Sequence, residues 1–337
     1  MKNRVFSRIK GTGTYLPERV VSNDEVASLL GLPDEDVFRV TGIKARHWCH
    51  PEQTCSDLAA EAARRALSAA DLSIEAVDAI LVSTTSPDTI FPSTACYLQQ
   101  KLKARPVAAF DLAASCTGFL YGLSMADSFI RSGQYRCCLV VAAEVKSRYL
   151  DGTRKSSAML FGDGAGAAVM VRDEGIAAAD SNKAPGILGI RLYSDGAYRN
   201  LITVPAGGSK LPGSAETVEN HLHAIELKGS QVFRTGVKRL SVAFADILRE
   251  FDLKVSDITQ VIAHQANARM LRAIANRARL APTQMFSMIE QVGNTSSASL
   301  PIALDAAQGQ HKFAEGDLIL LGAFGGGLTW GTALIRW

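Results

Sequence analysis

One arrangement occurs twice along the chain, and it restricts the fold more than any other feature. In the first half, the apolar strand VDAILVSTT (77–85) precedes a helix and a run of small residues around Cys116 with its own helix. The strand CCLVVAAEV (137–145) and the glycine-rich GDGAGAAVMV (162–171) follow. The second half repeats the order: ITQVIAHQA (258–266), a helix, the small-residue run NTSSASLPIAL (294–304), GDLILLGAF (316–324) and GGGLTWGTALIRW (325–337). A repeat on this scale predicts a duplicated core. Short apolar strands joined by amphipathic helices predict an α/β fold with parallel or mixed sheets covered on both faces. The halves are placed at 1–172 and 173–337. Residues 172–225, richer in Gly, Pro, Ser and Asn, read as a linker or a set of surface loops. SDLAAEAARRALSAADL (56–72) reads as a helix with a serine N-cap.

Composition narrows the function classes. The chain has 337 residues, 47% of them hydrophobic, which is ample for a large core. Charged residues make up 20% and the net charge is +3, too small an excess to imply nucleic acid. No run approaches the roughly 18 apolar residues of a membrane span. MKNRVFSRIKGTGTYLPE carries no apolar run of signal-peptide length, so a cytoplasmic protein is expected. The six cysteines form no CxxC pair, and Cys137 and Cys138 are adjacent inside an apolar run. They read as reduced thiols, with no metal site expected.

Three residues stand out against this frame. Cys116, in FDLAASCTGFLYGL (110–123), lies between a strand and what reads as a helix ending near Gly133. A helix N-terminus stabilises a thiolate, and the small neighbours Ala113, Ala114, Ser115 and Gly118 let a substrate approach. The other reading is a buried structural thiol, since free cysteine is among the most buried residue types. His264, in VIAHQANARM, ends an apolar strand, where ligand-facing residues of α/β sheets tend to sit, or it is a satisfied core histidine. Asn294, in VGNTSSASLP, is a helix-cap residue when taken alone. The repeat changes their weight, because Cys116 and Asn294 occupy corresponding turns and His264 ends a core strand. If the halves pack about a pseudo-two-fold axis, the three converge. Such a set suits thioester chemistry: the thiolate takes an acyl group, and His264 and Asn294 donate hydrogen bonds to an oxyanion or enolate. Gly325–Gly326–Gly327 lets a backbone N–H approach the substrate, and the N–H of Cys116 would complete an oxyanion hole.

The motifs AASCTGF, HQANARM, GNTSSASLP and FGGGLTWG together resemble the thiolase-fold β-ketoacyl-acyl-carrier-protein synthase III enzymes. GTGTYLPE, TGIKARH (41–47), FPSTAC (91–96) and FGDGAGAAV (161–169) extend the resemblance over nearly the whole chain. It implies a five-layered αβαβα fold, a homodimer, Cys116 as the acylated nucleophile, and His264 and Asn294 as promoters of malonyl decarboxylation. It implies an oxyanion hole from the backbone of Cys116 and Gly326. Phe324 would lie beside the active site, and Phe91 would close the partner's acyl pocket across the dimer. Met159 and Leu227 would help set pocket depth. Acyl carrier protein and coenzyme A thioesters are the implied partners, with no metal or redox cofactor. Arg234, Asn267, Arg269 and Arg277 would contact the carrier or its pantetheine arm, and Arg272 and Arg279 add charge nearby.

The segment DEDVFRVTGI (34–43) departs from the pattern of relatives primed by acetyl-coenzyme A. Asp36 stands where a Trp stacks on adenine, Val40 where an Arg often sits, and Lys155 in place of a stacking Arg, with Arg39 a partial compensation. The implied donor is another coenzyme A ester or a carrier-borne acyl group. A relative from specialised metabolism, making an ester or another carbon–carbon bond, is the alternative. Papain-like proteases share the Cys-His-Asn order, but their local signature around the cysteine is absent here. An inactive assembly partner would have no chemical reason to keep all three residues.

Overall fold

The computed structural model describes residues 5–173 and 185–337. It contains two five-stranded sheets with one strand order. In the first sheet the order is Phe6–Tyr15, Gly164–Asp173, Cys137–Glu144, Ala79–Ser83, Ala108–Leu112. In the second it is Gly186–Ser194, Thr329–Arg336, Leu318–Gly325, Gln260–Ala263, Met285–Phe286. The pairing directions also repeat. The last three strands of each list run parallel, and the first two pair antiparallel to their neighbours. Both sheets are therefore mixed, as a duplicated α/β core requires.

Five layers follow from which faces are apolar. Helices Gly118–Arg131 and Ser299–His311 lie between the sheets, where Phe119, Leu120, Leu123 and Ile130 pack with Leu300, Ile302 and Leu304. Helices Cys55–Ala69 and Thr94–Leu102 cover the outer face of the first sheet. Helices Gly229–Glu250 and Ala268–Ala278 cover that of the second. Strands covered on both faces carry unbroken apolar runs, and all eight residues of Cys137–Glu144 are buried. Pro301 sits in the first turn of its helix, where a missing N–H breaks no ladder bond.

Two local expectations are corrected and one unassigned stretch is explained. Residues 172–225 are not all linker: Gly186–Ser194 is the edge strand of the second sheet, paired with Thr329–Arg336. Part of that stretch, 174–184, lies outside the described residues. The helix begins at Cys55 rather than after Ser56. Thr54 is its cap, closing a reciprocal box with Asp57. The GTG of Phe6–Tyr15, unassigned from sequence, is a close approach. A Cβ on Gly11 would sit 2.4 Å from the Ala70 nitrogen, and one on Gly13 2.3 Å from that of Ala66.

Candidate active site

Both inner helices start in the same unusual way. Ahead of Gly118–Arg131 comes a 3₁₀ turn, Ser115–Thr117, with Ser115 at φ +48°. Ahead of Ser299–His311 comes Ser296–Ala298, with Ser296 at φ +52°. The two turns meet at the centre of the molecule, where Cys116 Sγ lies 3.5 Å from Ser296 Oγ. The turns correspond as expected, but the counterpart of Cys116 in the second half is Ser297, and Asn294 aligns with Ala113. The Cys116–His264–Asn294 pattern is thus not itself two-fold symmetric.

His264 follows the strand Gln260–Ala263, and its N–H donates to Gly322 O at 2.8 Å. Its Nδ1 lies 2.6 Å from Ser299 Oγ. That oxygen also accepts the Gln265 N–H at 3.3 Å and keeps its own proton to donate to Nδ1. Burial drives the imidazole pKa down to about 3, so the ring is neutral, and with the Ser299 hydroxyl donating to Nδ1 its one proton is assigned to Nε2. The ring packs edge-on to Phe324, with centroids 5.6 Å apart.

Asn294 is held with equal definition. Its Oδ1 accepts the Ser296 N–H at 2.9 Å, and its Nδ2 donates to Ala266 O at 3.3 Å. The first bond fixes the amide orientation, which leaves the second Nδ2 proton free. The N–H of Asn294 donates to Leu160 O at 2.9 Å, and the Asn294 carbonyl accepts the Gly162 N–H at 3.0 Å. These bonds tie the turn to the first half.

Cys116, His264 and Asn294 line one cavity of about 890 Å³, together with Phe324, Gly326, Arg234, Asn267 and Arg269. Met159 and Leu227 form part of its apolar wall. Gly325 brings the last turn against Cys116, since a Cβ there would lie 2.7 Å from the Cys116 nitrogen. Two predicted residues lie elsewhere. Phe91 is 84% exposed beside Ile90 at 86%, outside the cavity of its own chain. Arg277 is exposed farther along Ala268–Ala278, on the outer surface with Arg272 and Arg279. Asn267 spends its side chain locally, accepting the Arg269 N–H at 2.8 Å and donating to Val40 O at 3.1 Å. At the mouth, Asp36 is paired with Arg39 and Val40 lines the cavity. Lys155 does not line it, whereas its neighbour Ser156 does.

The thiol differs from the sequence expectation. Burial pushes Cys116 up to about 11, and the Glu144 carboxylate adds to the rise while the Lys146 ammonium opposes it. A Ser296 hydroxyl turned toward the sulfur would also oppose it. The helix start is where it was expected, but desolvation outweighs it. Glu144, Lys146, Ser296 and Ser299 were not singled out from sequence. The available signal was a carboxylate and an ammonium, in AAEVK, at the end of a wholly apolar run.

Residues 110–196 match the family model for 3-oxoacyl-[acyl-carrier-protein] synthase III, and 248–337 match the model of its C-terminal part. A β-ketoacyl-[acyl-carrier-protein] synthase III of Alkalilimnicola ehrlichii is 44% identical over 98% of this chain and 99% of its own. This chain belongs to the β-ketoacyl-acyl-carrier-protein synthase III family. It is a condensing acyltransferase of that family. The synthase III crystal structure from Aquifex aeolicus superposes with a TM-score of 0.88 at 39% identity, covering 98% of this chain and 100% of that one. The fold is accordingly the thiolase-like αβαβα sandwich. The priming β-ketosynthase of the R1128 polyketide pathway matches with a TM-score of 0.89 at 31% identity, covering 100% and 97%. Among the described residues, no helix is long and apolar enough to cross a membrane, and no cluster of His, Cys, Asp and Glu could hold a metal ion.

Proposed function

We propose that Cys116 takes an acyl group from a thioester and passes it to the enolate of a decarboxylated malonyl thioester on acyl carrier protein. The product is a β-ketoacyl carrier thioester at the start of fatty acid synthesis. In the first half-reaction the sulfur attacks the donor carbonyl, and the donor thiol leaves with the Cys116 proton. In the second, malonyl loses carbon dioxide and the electron pair moves onto the thioester oxygen as an enolate. His264 Nε2–H and the second Asn294 Nδ2–H donate to that oxygen. The enolate carbon then attacks the acyl–Cys116 carbonyl, and the backbone N–H groups of Cys116 and Gly326 hold its oxygen until the sulfur is expelled. The observation carrying this reading is that a neutral imidazole and an amide of fixed orientation line the same cavity as the cysteine.

The rest of the assignment follows from the surface. Arg234 on Gly229–Glu250, with Arg269, Arg272, Arg277 and Arg279 on and beside the packed helix Ala268–Ala278, forms the face that an acidic carrier meets. The exposed Ile90–Phe91 tip packs on a second copy, where Phe91 closes the partner's acyl pocket. The halves divide at 172/173, and the enzyme works in the cytoplasm on thioesters alone, without a metal or redox cofactor.

The second reading, an acyltransferase of specialised metabolism, is favoured by one feature. Asp36 engages Arg39 at the mouth and leaves no ring for adenine to stack on. Intact-protein mass spectrometry with a panel of acyl-coenzyme A and acyl-carrier thioesters separates the two. One acyl mass on wild type and none on Cys116→Ala supports the nucleophile, and the preferred donor chooses between the readings. No acylation by any donor overturns both.

A further inference from the structure

Beneath Cys116 lies a buried carboxylate that the two half-reactions do not use. Glu144 ends the strand Cys137–Glu144, has no exposed surface, and meets both halves of the molecule. From its own half it accepts Ser86 Oγ–H at 2.6 Å, the Thr85 N–H at 3.2 Å and the Lys146 ammonium at 3.0 Å. From the other half it accepts Ser296 Oγ–H at 3.1 Å and Ser297 Oγ–H at 2.8 Å. Burial works against its charge, but Lys146 and the hydroxyl donors more than offset this and hold its pKa below the usual value. Glu144 is an ionised, acceptor-only group.

That fixes the direction of the next bond. Ser296 Oγ has one proton, and it points at Glu144. The oxygen can then only accept from Cys116, 3.5 Å away, and a thiol supplies the hydrogen. A serine donating to the sulfur would favour thiolate, whereas this one favours thiol. Lys146 lines the same cavity with its side chain 8% exposed, also touches Thr85, and lies 5.6 Å from the Tyr149 ring centre. The other groups facing the sulfur are few. His264 is neutral, Arg234 and Arg269 sit exposed at the mouth, and Cys55 and Asp88 lie behind Glu144.

We propose that Glu144 and Lys146 are positioning residues for the nucleophile. Glu144, by claiming the Ser296 proton, keeps the hydrogen on Cys116 sulfur while the cavity is empty, and Lys146 limits that hold. The proposal rests on the reading of Cys116 as the acylated residue. Its consequence is a nucleophile that stays a thiol, poorly reactive toward stray electrophiles, until a thioester carbonyl arrives.

The test is the pH profile of Cys116 alkylation by iodoacetamide, read by peptide mass spectrometry on the full chain. Ser296→Ala removes the acceptor and leaves the ion pair in place, so alkylation at pH 7.5 becomes about threefold faster, a midpoint shift of about half a unit downward. Glu144→Gln speeds it about tenfold. Lys146→Met slows it about tenfold, and Lys146→Arg restores the wild-type profile. A slower Ser296→Ala, meaning that the hydroxyl had been donating to sulfur, overturns the proposal. So does an unchanged profile in Glu144→Gln when Cys137 and Cys138 remain protected. If Glu144→Gln exposes those two cysteines, the variant has unfolded and Ser296→Ala decides. Acylation by thioesters is scored separately, so loss of the catalytic reading is not mistaken for loss of this network.

Discussion

At the scale of single residues, the proposed function divides the labour between one nucleophile, Cys116, and two uncharged donors, His264 and Asn294. Removing a donor acts on the enolate rather than on acyl transfer to sulfur. His264→Ala and Asn294→Ala should retain acylation within several-fold while malonyl decarboxylation falls by about 10²-fold. Equal loss in both half-reactions, measured by single-turnover mass spectrometry and carbon dioxide release, would contradict these roles. The neutrality of His264 has a thermodynamic signature too. Its folded pKa of about 3 lies below the unfolded value of 6.5, so the unfolded chain binds the proton first as pH falls. Stability drains away from pH 6.5 downward, and the loss ends near pH 3. From pH 7 to pH 5 this one group costs about 2 kcal/mol. The urea-unfolding difference between wild type and His264→Gln should therefore move by that amount in favour of the variant. Parallel pH profiles would mean the ring is not held neutral. The residue-level error in reading the sequence was the thiol. Chain order shows a helix start beside Cys116, but burial is a property of the assembled core.

At the scale of elements, the strands that sequence reveals are those whose surroundings leave no choice of residue. Ala79–Ser83, Cys137–Glu144 and Leu318–Gly325 are covered on both faces, so they read as apolar runs. The edge strand Gly186–Ser194 is only partly buried and follows a Gly- and Pro-containing stretch, so its composition resembles a loop. Phe6–Tyr15 was obscured by its glycines, which are there because the Cys55–Ala69 helix backbone passes at contact distance. That close approach can be tested directly. Gly13→Ala drives a methyl into the Ala66 backbone and should cost about 1–3 kcal/mol in urea unfolding. Gly196→Ala points into open space and should leave stability unchanged. Equal stability of the two variants would show that strand and helix do not pack as closely as described.

At the scale of the whole molecule, duplication made the site legible: two similar halves bring two similar turns together, and residues 178 positions apart in sequence, Cys116 and Asn294, come to face one cavity. What duplication hides is the asymmetry. Glu144 couples the halves from one side only, and the Ile90–Phe91 tip projects from the first half with nothing of its own chain over it. Two large apolar side chains, 86% and 84% exposed, form a surface suited to a partner rather than to water. If that partner is a second copy, the protein runs in solution at twice the chain mass of 36.0 kDa. Ile90→Asp combined with Phe91→Asp should then shift the mass by light scattering toward a single chain. Because Cys116, His264 and Asn294 all come from one chain, the variant should still accept short acyl groups. Losing the Phe91 wall of the partner should also relax its discrimination against longer ones. A wild-type protein of single-chain mass would remove the dimer from this account. A variant that stays dimeric, with unchanged chain-length preference, would move the interface away from the Ile90–Phe91 tip.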